Sequence, residues 1–399
     1  MPAAQARPLF LLASLFAPLG IIAPKALVPL LFIVALWLLW RRWRQGQLRR
    51  PFQGPTAIPG AIIAVWALLS ALWAVDSAAA LLTFAKLASV TASALILLDG
   101  VDDLGPDDRA PMGRALWVAF TLALLLLGLE SLSGAAAHRW WLDWLGEAGE
   151  FDETVLNRSE ALLLLAAWPC ALVLAQQGRR AWALAAVAAA VAVAMLGASN
   201  SNQAAAAAAL AGATLAWRAG PWLQRLLAGL LLLGVLAAPL LPATLLAPER
   251  LAGYFDENHY SGLHRLYIWH FAAQRIAEAP VLGWGLDASR RIPGGDTKLP
   301  GGGNVMSVHP HNASLQIWLE LGAVGALLWA LLLAGLWFRA GGLPSRRERA
   351  AATGLLLAGL TVAHLSFGIW QTWWLAALAQ GGVIFALAQR LGLRQSRLP

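Results

Sequence analysis

The sequence is poor in charge and in cysteine, and each shortage removes a class of protein. Only 13% of its 399 residues are charged and 59% are hydrophobic. Soluble domains carry about a quarter charged residues, so a water-soluble globular enzyme is excluded. The single cysteine, Cys170, lies inside an apolar run, which leaves no intrachain disulfide framework and no cysteine-based metal site. No nucleophile elbow marks a serine hydrolase, and no H-E-x-x-H pair marks a zinc site. Acidic residues number 21 against 29 basic ones, a net charge of +8. In a chain this apolar, the excess reports basic loops on one side of a bilayer and not a nucleic-acid partner.

Long hydrophobic runs are what the chain has in plenty, with 21 tryptophans suited to interfacial belts. The N-terminus has a weak basic region and no clean cleavage site, so it reads as a first span and not as a signal peptide. A helix needs about 20 apolar residues to cross a ~30 Å core. That rule predicts an all-α polytopic membrane protein with about twelve transmembrane helices, near 8–23, 26–40, 57–75, 78–98, 114–133, 159–176, 181–198, 203–217, 222–241, 312–338, 351–367 and 371–389. The first two form a tight hairpin at Pro24, and the Ala-rich pair between 181 and 217 allows close helix approach. With the N- and C-termini cytoplasmic, five of the six inner segments are basic, "RRWRQGQLRR" and "FRAGGLPSRRER" among them. The acidic stretch "DGVDDLGPDDR" is the exception. Two sizeable loops, 134–158 and 242–311, then face outward. The chain divides into nine spans over 1–241, a loop subdomain over 242–311, and three spans with a short tail over 312–399, all one integrated membrane domain.

Polar residues gather where three spans begin on the outer face. Asn157 and Arg158 open the sixth, Ser199 to Gln203 open the eighth, and "HPHN" (309–312) opens the tenth. Helix N-termini offer free N–H groups and the positive end of the macrodipole, which favour anions. Each cluster also reads as an ordinary cap. Within the large loop, 260–280 predicts an amphipathic helix ended by Pro280, with Arg265, Trp269, Ala272 and Ile276 along one face. Arg265 at its border either grips a phosphate or snorkels at a surface. The glycines and prolines after it suggest a mobile loop, and its G-x-G lacks the context of a nucleotide fingerprint. Arg290 and Arg291 form a further cationic pair. His309 and His311 have no acidic partner within helical reach before Glu320, which argues against a metal site. They remain a general base or plain caps. The ionisable residues within spans, Lys86, Glu160, Glu320 and His364, fit interhelical pairing or a transport path, but no two helices are broken in matching halves.

"HRLYIWHFAAQRIAEAPVLGWGLDASRR" resembles the R-x-x-x-W…P-x-x-G-x-G segment of the O-antigen ligase and polymerase superfamily. "HPHNASLQIWLELGAVGALLWALLL" resembles its more specific H-x-H-N-x-x-L-Q-x-x-x-E-x-G-x-x-G segment, and "LNRSE" its Asn-Arg helix entry. The O-antigen ligases are the best fit within it. The resemblance implies a fold similar to GT-C glycosyltransferases and a large periplasmic loop at the bacterial inner membrane. It further implies transfer of O-antigen from undecaprenyl pyrophosphate to lipid A–core, among membrane lipids and without cofactor or metal. His311 is then implied as general base, with His309 second to it. Arg158 and Arg265 are implied as pyrophosphate ligands, with Asn157, Asn312, Arg290 and Arg291 beside them. One departure stands out: the turn before the eighth span often carries Ser-Arg in this superfamily, and here reads "SNSNQ". Rival readings are an O-antigen polymerase of the same superfamily and, from another class, a lipid-linked glycan transporter that has no need of His311. A protein O-glycosylating relative usually carries a longer C-terminal region, and an Asn-linked oligosaccharyltransferase an acidic first outer loop.

Overall fold

The computed structural model describes residues 6–53, 57–144, 156–219, 221–254, 260–299 and 302–392. Among these residues there are sixteen α-helices and no β-strand, only one isolated bridge between Lys298 and Asn304. In chain order the first eight are α1 (Arg7–Ile22), α2 (Leu27–Arg44), α3 (Ala57–Leu69), α4 (Ser77–Asp102), α5 (Arg109–Leu132), α6 (Ala136–Trp144), α7 (Asn157–Gln176) and α8 (Arg180–Leu196). Then come α9 (Asn200–Arg218), α10 (Pro221–Leu236), α11 (Leu240–Ala243), α12 (Pro248–Leu251), α13 (Tyr260–Glu278), α14 (Ala313–Gly341), α15 (Arg346–Leu365) and α16 (Thr372–Gly392). The C-terminal tail beyond Gly392, and residues 145–155 of the smaller outer loop, lie outside the described residues.

Every apolar segment marked in the sequence forms a helix, but their lengths differ. Six stretches are long and apolar enough to cross a membrane: Pro24–Arg44, Ser77–Asp102, Pro106–Leu132, Asn157–Gln176, Ala313–Gly341 and Thr372–Gly392. Arg7–Ile22, Ile58–Leu72, Arg180–Leu196 and Gln224–Leu236 are apolar but shorter. α9 and α15 open on polar turns, "NSNQ" and "RRER", that cut into their apolar length. The chain is a multi-pass membrane protein.

α7 is apolar almost all round, and a helix of that kind belongs at the centre of a bundle. Every residue from Ser159 to Cys170 is buried, with α1, α5, α8, α15 and α16 packed about it. The alanines of α9 serve close approach as expected, though chiefly to α15 and less to α8. A Cβ on Gly212 would collide with Leu357 of α15. At the opposite end from the histidines, the acidic stretch turns out to be the partner of the first basic loop. Arg42, its side chain 6% exposed, pairs with Asp99 at 2.5 Å and Asp103 at 2.7 Å, and Arg50 pairs with both at 3.0 Å. Those acids neutralise buried arginine, which explains their place among basic segments.

One helix departs from expectation. α14 is not a straight span: Gly322, at φ +63° and ψ −164°, breaks it two turns from its start. The backbone groups freed by the break are taken up by the loop after α13. Trp284 N–H donates to the Leu319 carbonyl at 2.9 Å and Gly285 N–H to that of Glu320 at 2.8 Å, while Ala323 N–H donates to the Pro280 carbonyl at 2.8 Å. The Leu321 carbonyl accepts from Trp66 Nε1 at 3.0 Å. The same loop bonds to the turn between α3 and α4 through Val75 N–H to the Trp284 carbonyl, 3.1 Å, and Leu286 N–H to Ser70 Oγ, 3.1 Å. The Gly/Pro-rich segment expected to be mobile is thus clamped between two helical elements from 280 to 286. Its glycines serve that approach: a Cβ on Gly283 would stand 2.6 Å from the backbone of Glu320 and Gly322, and one on Gly322 would collide with the Val281 carbonyl.

Gly322→Ala forces a side chain into a backbone conformation that only glycine adopts easily, against backbone that cannot move aside. The expected cost is at least about 2 kcal/mol. It is read as a fall in the thermal unfolding midpoint of the detergent-solubilised protein. An unchanged midpoint would show that loop and helix are not locked together.

Candidate active site

The "HPHN" turn is held from three sides. Trp269 Nε1 of α13 donates to the Pro310 carbonyl at 2.8 Å. Asn312 is the N-cap of α14, its Oδ1 accepting from Leu315 N–H at 3.1 Å. Between them His311 sits at φ +54°, in the left-handed region that non-glycine residues enter rarely and at local cost. That conformation brings its backbone N–H to His309 Nδ1 at 3.1 Å and sets the two imidazoles 4.2 Å apart between centroids, tilted by 54°.

The two histidines differ in what their nitrogens meet. His311 Nδ1 lies 2.6 Å from the Ser366 carbonyl, to which it donates. The ring proton is thereby fixed on Nδ1, and Nε2 keeps its lone pair with no hydrogen bond to any described residue. Burial lowers the pKa of His311, and the charges of Arg265 and His264 lower it further against the raising effect of the Ser366 carbonyl. His311 is therefore a neutral, half-buried imidazole at neutral pH, with one nitrogen open. His309 is 4% exposed; its Nδ1 accepts from the His311 N–H, which places the ring proton on Nε2, within 3.2 Å of the Gln371 side-chain amide. The Gln371 amide is oriented by its Oε1, which accepts from Trp373 Nε1 at 2.9 Å. An added proton on His309 would find no acceptor. Burial first, then the charges of His311, Arg290 and Arg265, lower its pKa to about 3. Of the two, His311 has the geometry of a base and His309 that of its fixed neighbour.

The element that organises these groups is the turn between α15 and α16, residues 366–371, which the sequence marked only as the join of two spans. Besides Ser366 and Gln371 it presents Gly368, where a Cβ would stand 2.7 Å from the His309 ring. Leu365, just before it, accepts from Ser201 Oγ at 2.8 Å. Trp373, just after it, lies under the guanidinium of Arg158 at 5.5 Å. The three polar helix starts of the sequence therefore meet at this one turn. Its signal was present, as "HLSFGIWQTWW" puts a histidine, a serine, a glutamine and three tryptophans where a pair of plain spans would put aliphatics.

Around the histidines the arginines divide into two kinds. Arg265, half-buried on α13, and Arg158, exposed at the start of α7, have no ion-pair partner among the described residues. Burial lowers the Arg265 pKa, yet a guanidinium stays charged at any physiological pH. Arg290 and Arg291 are already paired, with Asp287 at 3.2 Å and Asp76 at 3.0 Å. The field of Arg290 still reaches His309. The Ser/Asn turn spends its polar groups on structure. Ser199 caps α9, and Asn202 Nδ2 donates to the Asn157 carbonyl at 2.9 Å and to Glu160 Oε2 at 2.8 Å. Asn157 Oδ1 is buried with no partner among the described residues. Among those residues no three His, Cys, Asp or Glu side chains gather as a metal-ligand set. What the arrangement offers chemically is a neutral imidazole base, two unpaired cations and a helix N-terminus at one end of the bundle.

Comparison with known proteins points the same way. Residues 165–330 match the family model described as O-Antigen ligase. That range holds both histidines, Arg265, Arg290 and Arg291, and leaves out Arg158 and the 366–371 turn. Proteins named "Putative polysaccharide ligase" are similar to this chain, two of them over most of their length. The one from Rickettsia conorii is 27% identical over 321 residues, 79% of this chain and 75% of that protein. The one from Rickettsia felis is 26% identical over 349 residues, 85% and 83%. A third, from Rickettsia prowazekii, is 33% identical over 153 residues, 36% of each chain.

The state of His309 makes stability depend on pH with a definite sign. Folded, it stays neutral down to about pH 3, whereas its ordinary pKa is 6.5. Between those values the unfolded chain binds the extra proton, so stability is full above about pH 6.5 and declines as pH falls, by up to about 1.4 kcal/mol per unit for one such group. In His309→Gln the decline of the unfolding midpoint from pH 6.5 to 4 should be shallower than in the wild type. Parallel curves would show that His309 is not held neutral.

Proposed function

We propose that the chain, similar to the O-antigen ligase family over residues 165–330 and to the named polysaccharide ligases over most of its length, acts as an O-antigen ligase, moving polysaccharide from undecaprenyl pyrophosphate to a sugar hydroxyl of lipid A–core. The observation that carries this is the 2.6 Å hydrogen bond from His311 Nδ1 to the Ser366 carbonyl, which leaves Nε2 bare beside unpaired arginine. A base with one open nitrogen, neutral at working pH, suits removal of a proton from an acceptor hydroxyl.

In the reaction we propose, the acceptor oxygen attacks the anomeric carbon while its proton passes to His311 Nε2. The bond from that carbon to the phosphate oxygen breaks, and undecaprenyl pyrophosphate leaves with the electron pair. Arg265 and Arg158 stabilise the charge it gathers, with Arg290 and Arg291 as outer cations and the α14 N-terminus adding its dipole. Glu320, on the helix that follows the histidine turn, has both oxygens engaged and is no free carboxylate nucleophile. We read the reaction as a single displacement with inversion, without metal or cofactor, which that set of groups supports. Both substrates are lipid-anchored, which suits a site at the end of a membrane bundle. The layout that goes with this reading is twelve spans in the bacterial inner membrane, both termini cytoplasmic, and the 242–311 loop periplasmic.

The test is transfer by the purified protein from undecaprenyl-pyrophosphate-linked glycan to lipid A–core in EDTA, read as a gel ladder. Wild type should build the ladder, and His311→Ala should lose about 10²–10⁴ in rate, the usual contribution of a general base. His309→Ala should retain more activity than His311→Ala. Longer lipid-linked glycan with no ladder would make the protein a polymerase. No covalent product at all would favour a transporter.

A further inference from the structure

Glu320 takes no part in the displacement just proposed, yet its carboxylate is completely buried and accepts four hydrogen bonds. Oε2 accepts from Asp287 N–H at 2.6 Å and from Trp370 Nε1 at 2.6 Å. Oε1 accepts from Ser289 Oγ at 2.5 Å and from Gln316 Nε2 at 3.0 Å, and Gln316 in turn accepts from Ile369 N–H at 3.1 Å. Each oxygen therefore links the same two turns, one directly and one through Gln316.

Those turns carry the two halves of the candidate site. The first, 287–291, bears Arg290 and Arg291, and Asp287 within it stands at φ +62° with its carboxylate on Arg290 and on Thr83, each at 3.2 Å. The second, 366–371, holds the proton of His311 on Ser366 and touches His309 through Gln371. We infer that Glu320 is a positioning residue that fixes the cationic turn and the base-holding turn relative to each other. The inference rests on the ligase reading for its kinetic consequence, and on geometry alone for its effect on His311.

The chemistry of the four contacts separates positioning from space-filling. Three of the partners, Asp287 N–H, Trp370 Nε1 and Gln316 Nε2, can only donate, and they approach both oxygens, so a group with two full acceptor oxygens satisfies them best. Glutamine has nearly the same shape but turns its NH₂ group toward a donor whichever way its amide lies, toward Gln316 Nε2 in one orientation and toward Asp287 N–H and Trp370 Nε1 in the other. A cavity-filling role would tolerate Glu320→Gln; a positioning role would not.

Wild type, Glu320→Gln, Trp370→Phe and Ser289→Ala would be compared as full-length protein in nanodiscs by two measurements. Steady-state transfer kinetics come first. Trp370→Phe loosens the base-holding turn and should lower kcat about tenfold with little change in donor KM. Ser289→Ala loosens the cationic turn and should act chiefly by raising donor KM, again about tenfold. Glu320→Gln should show both, about a hundredfold in kcat/KM, in keeping with the cost of misplacing catalytic groups by less than an ångström. The second measurement is nitrogen NMR of ¹⁵N-histidine-labelled protein, which reads the tautomer of His311 whether or not product forms. Wild type should show one tautomer protonated on Nδ1, and Glu320→Gln and Trp370→Phe a mixture. Glu320→Gln with wild-type kinetics and wild-type His311 signals would overturn the inference. So would three variants that lose activity alike with the tautomer unchanged, the mark of a purely structural residue. Absence of transfer by the wild type would remove the ligase reading, and the NMR comparison would still decide for or against Glu320.

Discussion

A helix that breaks within an apolar bundle must find protein partners for the backbone groups it frees, since each one left unsatisfied costs several kcal/mol in hydrocarbon. At Gly322 this requirement organises the histidine-bearing end of the molecule. The carbonyls of Leu319, Glu320 and Leu321 and the N–H of Ala323 are met by Trp284, Gly285, Trp66 and Pro280. The loop from 280 to 286 is held in place by those bonds, and the turn carrying Asp287 and Ser289 follows directly from it. Because Glu320 sits within the broken segment, the carbonyl that anchors Gly285 and the carboxylate that anchors Asp287 belong to one residue. Backbone satisfaction and site geometry are the same set of contacts.

The helices were legible in the sequence because hydropathy is local: a run of apolar residues says helix in a membrane wherever it lies. So was the α13 face, whose Ala272 and Ile276 are buried as the spacing required. Two features were not legible. The G-x-G at 283–285, set aside as a failed nucleotide motif, and the glycine at 322 have one explanation between them, mutual backbone approach. Neither segment shows it alone, since the pairing joins residues some forty apart. The 366–371 turn was missed for a related reason. Its polar residues and tryptophans stand out in the sequence, but what they contact does not, and several of its contacts run through the backbone carbonyls of Leu365 and Ser366 and the N–H of Ile369, which residue identity does not record. The cap reading of 199–203 was the sounder one, as Asn202 spends its amide on Asn157 and Glu160.

Charge is distributed differently at the two ends of the bundle. At the end bearing Arg42 and Arg50, Asp99 and Asp103 bind both guanidinium groups, as a buried cation requires when no ligand is to arrive. At the histidine end Arg158 rests only on the Trp373 ring, and Arg265 has no ion-pair partner among the described residues. Holding Arg265 half-buried without a counter-ion carries a desolvation cost, visible in its lowered pKa. A cost of that kind is offset when an anion binds, so the protein's own charge pattern favours a phosphate-bearing ligand at one end and a closed structure at the other.

The same cations act on the base. Arg265 lowers the pKa of His311, after burial the main lowering charge upon it. Burial and that charge together favour the unprotonated imidazole. On the proposed ligase reading, a pyrophosphate seated on the arginines would cancel their field, and the proton affinity of Nε2 would rise at the moment an acceptor hydroxyl needs a stronger base. The leaving group thereby tunes the residue that activates its nucleophile. The order of events matters for a site open to a membrane. With the cations vacant, His311 is a weak base, and a hydroxyl or water that wanders in gains little from it; only the donor-loaded site carries the full base strength.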